Sequence, residues 1–136
     1  MENMPKRILL VEDDLFIRDL YVRTLEQNGY IVEIAIDGEE GVNKALANTP
    51  DIMLLDIMMP KKNGIEVLKE IKGNDKTKGI PVFLLTNLGQ EGIIKEAFNI
   101  GASGYLLKAR MLPRDVAAHI NSYFETGKVP SELMQA

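Results

Sequence analysis

Short apolar runs alternate with segments whose apolar residues recur at helical spacing, and the alternation holds along nearly the whole chain. Arg7–Val11 is a continuous run through Ile8, Leu9, Leu10 and Val11 and predicts a buried strand that ends in Glu12-Asp13-Asp14. From Leu15 to Gln27 the apolar positions Phe16, Ile17, Leu20, Tyr21 and Leu25 follow a helical period, and Gly29 supplies the stop. Tyr30–Ile36 is rich in β-branched residues and predicts a second strand. Asp37 caps a second helix, with Glu40 three residues on completing a capping box, and Val42, Ala45 and Leu46 mark its inner face. Ile52–Leu55 is a third strand, bounded by Asp51 and Asp56. A loop through Met58, Met59 and Pro60 to Gly64 leads to a third helix on Val67, Leu68 and Ile71. The polar stretch Gly73–Gly79 reads as exposed. Pro81–Leu85 is a fourth strand ending at Thr86, and Ile93, Ile94, Ala97 and Phe98 carry a fourth helix. Gly104–Leu107 is a fifth strand ending at Lys108. Pro113 suits the first turn of a last helix, with Val116, Ile120, Tyr123 and Phe124 inward. Thr126–Ala136 has no usable period and reads as a frayed tail.

Five strand–helix units in series result. Strands that are apolar throughout are buried on both faces, which predicts a parallel sheet. Right-handed crossovers with helices on both sides make this an α/β, doubly wound (βα)5 three-layer sandwich. The 136 residues leave room for one domain, expected over 6–125, with a short tail at 126–136.

Composition narrows the classes of function. There is no cysteine and a single histidine, which removes thiolate metal sites and a Cys–His nucleophile. Net charge is -4, from 20 acids and 16 bases, so direct nucleic-acid binding is not expected. No apolar run approaches a membrane span, and Met1–Lys6 lacks a signal-peptide core, so a cytoplasmic protein without membrane contact is expected.

In such sheets a ligand site lies outside the carboxyl ends of the strands, where strand order reverses. The strand-end residues are Glu12 and Asp13, Asp56, Thr86 and Lys108; Asp37 ends the second strand in a capping context and is discounted. With strand order 2-1-3-4-5 the reversal falls between strands one and three, where the acids concentrate. Two carboxylates about 4 Å apart repel by roughly 4 kcal/mol at an effective dielectric of 20. Such a cluster responds by taking up a proton, a basic partner or a cation. Lys108 is one positive charge against three acids, and Mg2+, which takes oxygen ligands and keeps several waters, suits the remainder. Met58 is placed to offer a backbone carbonyl. A cation, a hydroxyl and an ammonium around one aspartate point to phosphoryl transfer, with Asp56 as nucleophile and Thr86 and Lys108 on the phosphoryl oxygens.

At these residues the chain resembles the receiver domains of two-component response regulators. The matching pieces are Ile-Leu-Leu-Val-Glu-Asp-Asp (8–14), Leu-Leu-Asp-Ile-Met-Met-Pro-Lys-Lys-Asn-Gly (54–64), Pro-Val-Phe-Leu-Leu-Thr (81–86) and Gly-Ala-Ser-Gly-Tyr-Leu-Leu-Lys (101–108). The resemblance implies a flavodoxin-like fold. It implies that Asp56 accepts phosphoryl from a sensor histidine kinase or phosphotransfer protein. Mg2+, with Mn2+ admissible, would be held by Glu12, Asp13, Asp56 and the Met58 carbonyl. Thr86 and Tyr105 would be a switch pair acting on a partner face made by helix four, strand five and helix five. The downstream protein is unspecified, and a phosphorylation-dependent homodimer is left open. The activity implied is that of a signalling module that catalyses only its own phosphorylation and slow dephosphorylation.

Three departures from the family pattern stand out. Asn87 takes a place usually held by a small residue, which bears on access to the phosphoryl. Ala109 replaces the usual proline after Lys108, which predicts a trans Lys108–Ala109 bond or a locally strained loop. No output domain follows, so regulation is expected to act through a separate partner. Plainer readings exist beside the functional ones. Glu12-Asp13-Asp14 alone is an acidic first turn, Asp14 is most simply a cap, and Met58 and Met59 are more often packing. His119 reads as a core or boundary residue, and Arg110, Arg114 and Lys95 as solvated charges or as part of the partner face. A hydrolase of the aspartyl-phosphatase kind would need an acid two residues after Asp56, where Met58 stands. A receiver that binds without phosphorylation would be expected to have lost acids that are all present here. A flavin carrier would find its phosphate repelled by Glu12-Asp13-Asp14.

Overall fold

The computed structural model describes residues 4–87 and 91–129. The chain runs β1 (Arg7–Val11), α1 (Leu15–Gln27), β2 (Ile31–Ala35), α2 (Gly38–Ala47), β3 (Ile52–Leu55), α3 (Gly64–Lys72), β4 (Val82–Thr86), α4 (Glu91–Ile100), β5 (Gly104–Leu107) and α5 (Pro113–Thr126). A single 3-10 turn, Lys108–Arg110, joins β5 to α5. All strand pairs are parallel, in the order β2-β1-β3-β4-β5. The predicted flavodoxin-like sandwich is therefore the observed one.

The continuous apolar strands are buried on both faces because each face meets helices. Leu9, Val11, Met53, Leu55, Val82 and Leu84 pack with residues of α2, α3 and α4. Ile8, Leu10, Ile52, Leu54, Phe83 and Leu85 pack with residues of α1 and α5. No helix among the described residues is long and apolar enough to cross a membrane.

Several local expectations change. β2 is shorter than Tyr30–Ile36. The Tyr30 N–H donates to the Leu25 carbonyl at the end of α1, so Tyr30 belongs to the helix stop. Asp37 caps α2 by accepting from the Glu40 N–H, but the Glu40 carboxylate accepts from the Ile36 N–H and not from that of Asp37. β4 begins after Pro81, which has no N–H, and includes Thr86. Gly73–Gly79 is not uniformly exposed: Thr77 is fully buried and its hydroxyl donates to the Ile71 carbonyl at 2.7 Å. The helical period of α1 does not turn all its apolar residues inward. Tyr21 and Leu25 are buried, whereas Phe16 is 84% exposed. At the far end, α5 stops at Gly127, whose left-handed backbone (φ 71°) closes the helix, and Val129 packs on the α1–α5 layer. Residues 130–136, most of the expected tail, lie outside the described residues.

Candidate functional site

The carboxyl ends of β1 and β3 are held in step by backbone hydrogen bonds that continue past the strands. The Glu12 N–H donates to the Ala35 carbonyl at 3.0 Å, and the Asp56 N–H to the Val11 carbonyl at 3.1 Å. The first acids after two neighbouring strands are therefore fixed side by side. Oxygens of Glu12, Asp13 and Asp56 lie within 4.8 Å of one another. Glu12 and Asp56 are buried, while Asp13 is exposed at the rim. Asp14 leaves the cluster and caps α1, accepting from the N–H groups of Phe16 and Ile17 at 2.9 and 3.0 Å.

Lys108 reaches the same point from the end of β5. Its Nζ contacts Glu12 Oε1 and lies 3.3 Å from Asp56 Oδ2. The other oxygen of Asp56 accepts from the Ile57 N–H at 2.7 Å, and the other oxygen of Glu12 from the Asp14 N–H at 3.1 Å. Both buried carboxylates are thus oriented by one backbone donor and one ammonium. Burial raises the Glu12 carboxyl above its ordinary range, and the bond to Lys108 pulls it back only in part. Burial, with the charges of Glu12 and Asp115 added, lifts the neighbouring Tyr21 phenol to about 12.

Thr86 is buried at the end of β4, beside this cluster in strand order. Tyr105 is half-buried on β5 and meets Phe98 of α4 edge to face, with ring centroids 6.2 Å apart. The Met58 side chain is 67% exposed, so it is not packing. No peptide bond among the described residues is cis, and Lys108–Ala109 is trans as predicted. Asn87 is exposed and lines a hollow of about 260 Å3 with Lys108, Ile17, Leu20 and Tyr21.

One contributor escapes a reading of the sequence. Arg18, one helical turn beyond Asp14, donates from Nη1 to the Glu12 carbonyl at 3.1 Å. It ties α1 to the end of β1. The only signal for it is a basic side chain within reach of the strand end, which the many solvated arginines on helices share.

A family model described as the response regulator receiver domain matches residues 8–120. Among curated proteins, the DNA-binding dual master transcriptional regulator RpaA of Synechocystis sp. is 42% identical over 105 residues. That match takes in 77% of this chain and 43% of the regulator. The chain spans about half the length of the first curated relatives it matches. A CheY-like receiver domain protein from Methanospirillum hungatei has a TM-score of 0.83 at 31% identity, covering 90% of this chain and 95% of that one. A CheX–CheY–BeF3–Mg2+ complex from Borrelia burgdorferi has a TM-score of 0.80 at 28% identity, covering 89% and 90%.

Proposed function

The chain belongs to the response regulator receiver domains, which are signalling modules, and from that premise we propose that Asp56 is its phosphoacceptor. In this reading a histidine kinase or phosphotransfer protein presents a phosphohistidine. The P–N bond breaks, a bond forms from an Asp56 carboxylate oxygen to phosphorus, and the imidazole leaves with the electron pair. One observation carries the reading: two buried carboxylates share one ammonium and an exposed third has an oxygen within 4.8 Å of theirs, at the point where strand order reverses.

The donor set fits a hard divalent cation. Three carboxylates within reach of one another, two of them buried, are oxygen ligands of the kind Mg2+ takes, and the exposed side leaves room for water. Glu12, Asp13, Asp56 and the Met58 backbone carbonyl would hold it, with Mn2+ admissible. When bound, the ion would supply positive charge against the phosphoryl oxygens. The Ile57 N–H fixes one Asp56 oxygen, and Lys108 stands beside the other, ready to hold a phosphoryl oxygen. The Thr86 hydroxyl would donate to a further oxygen. Its movement would let the Tyr105 ring turn inward from its edge-on contact with Phe98, changing the face made by α4, β5 and α5. A downstream protein, or a second copy of the chain, would read that face.

The exposed surface around the site supports a protein donor. Phe16, Leu15 and Leu20 on α1 and Leu112 before α5 are all more than half exposed. Apolar side chains in water flanking a charged pocket suit a docking partner. Incubation with Mg2+ and acetyl phosphate, followed by intact mass, tests the chemistry. One added phosphoryl is expected on the wild type and none on Asp56→Asn. An adduct that persists in Asp56→Asn would refute the assignment.

A further inference from the structure

The turn after β2 contributes no side chain to the acidic cluster, yet it grips the loop that follows Asp56. That loop, residues 57–63, is closed at its own base, where the Gly64 N–H donates to the Ile57 carbonyl at 2.8 Å. Its far side rests on the start of α2. A Cβ on Gly38 would sit 2.2 Å from the Lys62 carbonyl oxygen, so only glycine permits the approach. One residue earlier in the loop, Lys61 has a left-handed backbone (φ 68°). Non-glycine residues keep that conformation only where their surroundings impose it. The Lys61 Nζ lies 3.4 Å from Asp37 Oδ2, while Asp37 Oδ1 caps α2 at the Glu40 N–H, 2.8 Å away. Asp37 therefore joins a helix start to the loop with one carboxylate, and Gly38 lets the two backbones meet.

We infer that Asp37 and Gly38 are positioning residues for cation uptake, holding the β3–α3 loop so that its Met58 carbonyl and the Asp56 carboxylate face one point. The inference rests on the reading of Glu12, Asp13 and Asp56 as an Mg2+ site.

The sign of two charge changes separates positioning from a simple electric field. Asparagine caps a helix as well as aspartate, so Asp37→Asn removes the charge and keeps the cap. Lys61 is largely exposed, so Lys61→Met does not disturb a core. Through the field alone, loss of the Lys61 charge would tighten Mg2+ binding and loss of the Asp37 charge would weaken it. If the pair positions the loop, both variants weaken binding by about threefold, the scale of an exposed ion pair, and the double variant is no weaker than either. Gly38→Ala weakens it by about tenfold or more, as overpacking against a backbone carbonyl should. Calorimetric Mg2+ titration of the full chain reads these changes, alongside the amide spectrum of residues 57–63 in the metal-free protein, where the same variants are expected to shift the loop resonances. Should Gly38→Ala fail to fold, the two charge variants decide. Tighter binding by Lys61→Met, or unchanged isotherms in both charge variants while the wild type binds, would overturn the inference alone. Absence of Mg2+ uptake by the wild type would overturn the site reading and this inference with it.

Discussion

Lys72 and Lys108 stand at opposite ends of the same sheet, both partly buried, and they use their ammonium groups in opposite ways. Lys72, the last residue of α3, donates to the Lys78 and Ile80 carbonyls at 3.1 and 2.7 Å, and its stem packs beside Gly101. Burial alone draws its ammonium below the usual lysine range. Lys108 meets the carboxylates of Glu12 and Asp56, which lie close to each other and to that of Asp13. At the amino end of the sheet, then, the charge closes backbone carbonyls that any fold must satisfy. At the carboxyl end the ammonium meets no carbonyl but two buried carboxylates, each held by one backbone N–H, with the exposed Asp13 beside them. An ammonium whose partners are side-chain carboxylates, and not carbonyls left over by the sheet, is there for something the fold itself does not require.

The largest expected contrast is in chemistry. Asp56→Asn should take up no phosphoryl from acetyl phosphate, and Lys108→Ala should slow uptake by about 10²–10³-fold, as loss of one charge-stabilising donor does elsewhere. Lys72→Met should leave uptake unchanged. Single-turnover incorporation followed by intact mass measures all three, and a slow Lys72→Met would erase the distinction between the two ends.

Stability should show the reverse order. Lys72→Met removes two charge-assisted hydrogen bonds, one to the part-buried Ile80 carbonyl and one to the exposed Lys78 carbonyl, and should cost about 1.5–3 kcal/mol in urea unfolding. Its Mg2+ isotherm should match that of the wild type. Mg2+ itself sharpens the comparison. At ten times its dissociation constant it should stabilise the wild type by about 1.4 kcal/mol, and Lys72→Met by the same amount. Asp13→Asn, at an exposed position, should fold normally and lose most of that gain.

What the sequence made legible follows from the same division. α1, β3 and β5 begin and end where the apolar pattern places them, since each boundary is a local matter of caps and of the switch from apolar to charged residues. The convergence of Glu12, Asp13, Asp56 and Lys108 was legible because parallel strands deliver their end residues to one edge. The interior of the loops was not. Thr77 lies in a polar stretch but is buried by the turn it closes. Phe16 and Ile17 are equally apolar, and only the packing of α1 against α5 decides that Phe16 faces water. Asp37 looked like a plain cap because its second partner, Lys61, lies on another loop. Each of these depends on where two distant segments meet, which periodicity does not encode.

The smallest effect separates the two ends by pH. Burial raises the Glu12 carboxyl above its ordinary value of 4.5, because loss of hydration outweighs the pull of Lys108. An acid whose folded pKa is raised binds its proton more tightly in the folded state, so its contribution is fully present below the unfolded value. That contribution is lost as pH rises through the folded value. Stability of the metal-free wild type should therefore fall, relative to Glu12→Gln, as pH rises from about 4.5. Lys72→Met should keep the fall, since it leaves Glu12 and Lys108 in place. Saturating Mg2+ should reverse it, because a divalent cation favours the carboxylate and makes the ionised form the more stable one. Urea titrations from pH 4 to 8 in chelator and in excess Mg2+ measure both slopes. A Glu12→Gln protein with the wild-type slope in both conditions would mean that the Glu12 carboxylate carries none of the pH dependence, and the carboxyl end would lose the feature that sets it apart from the carbonyl-bound Lys72.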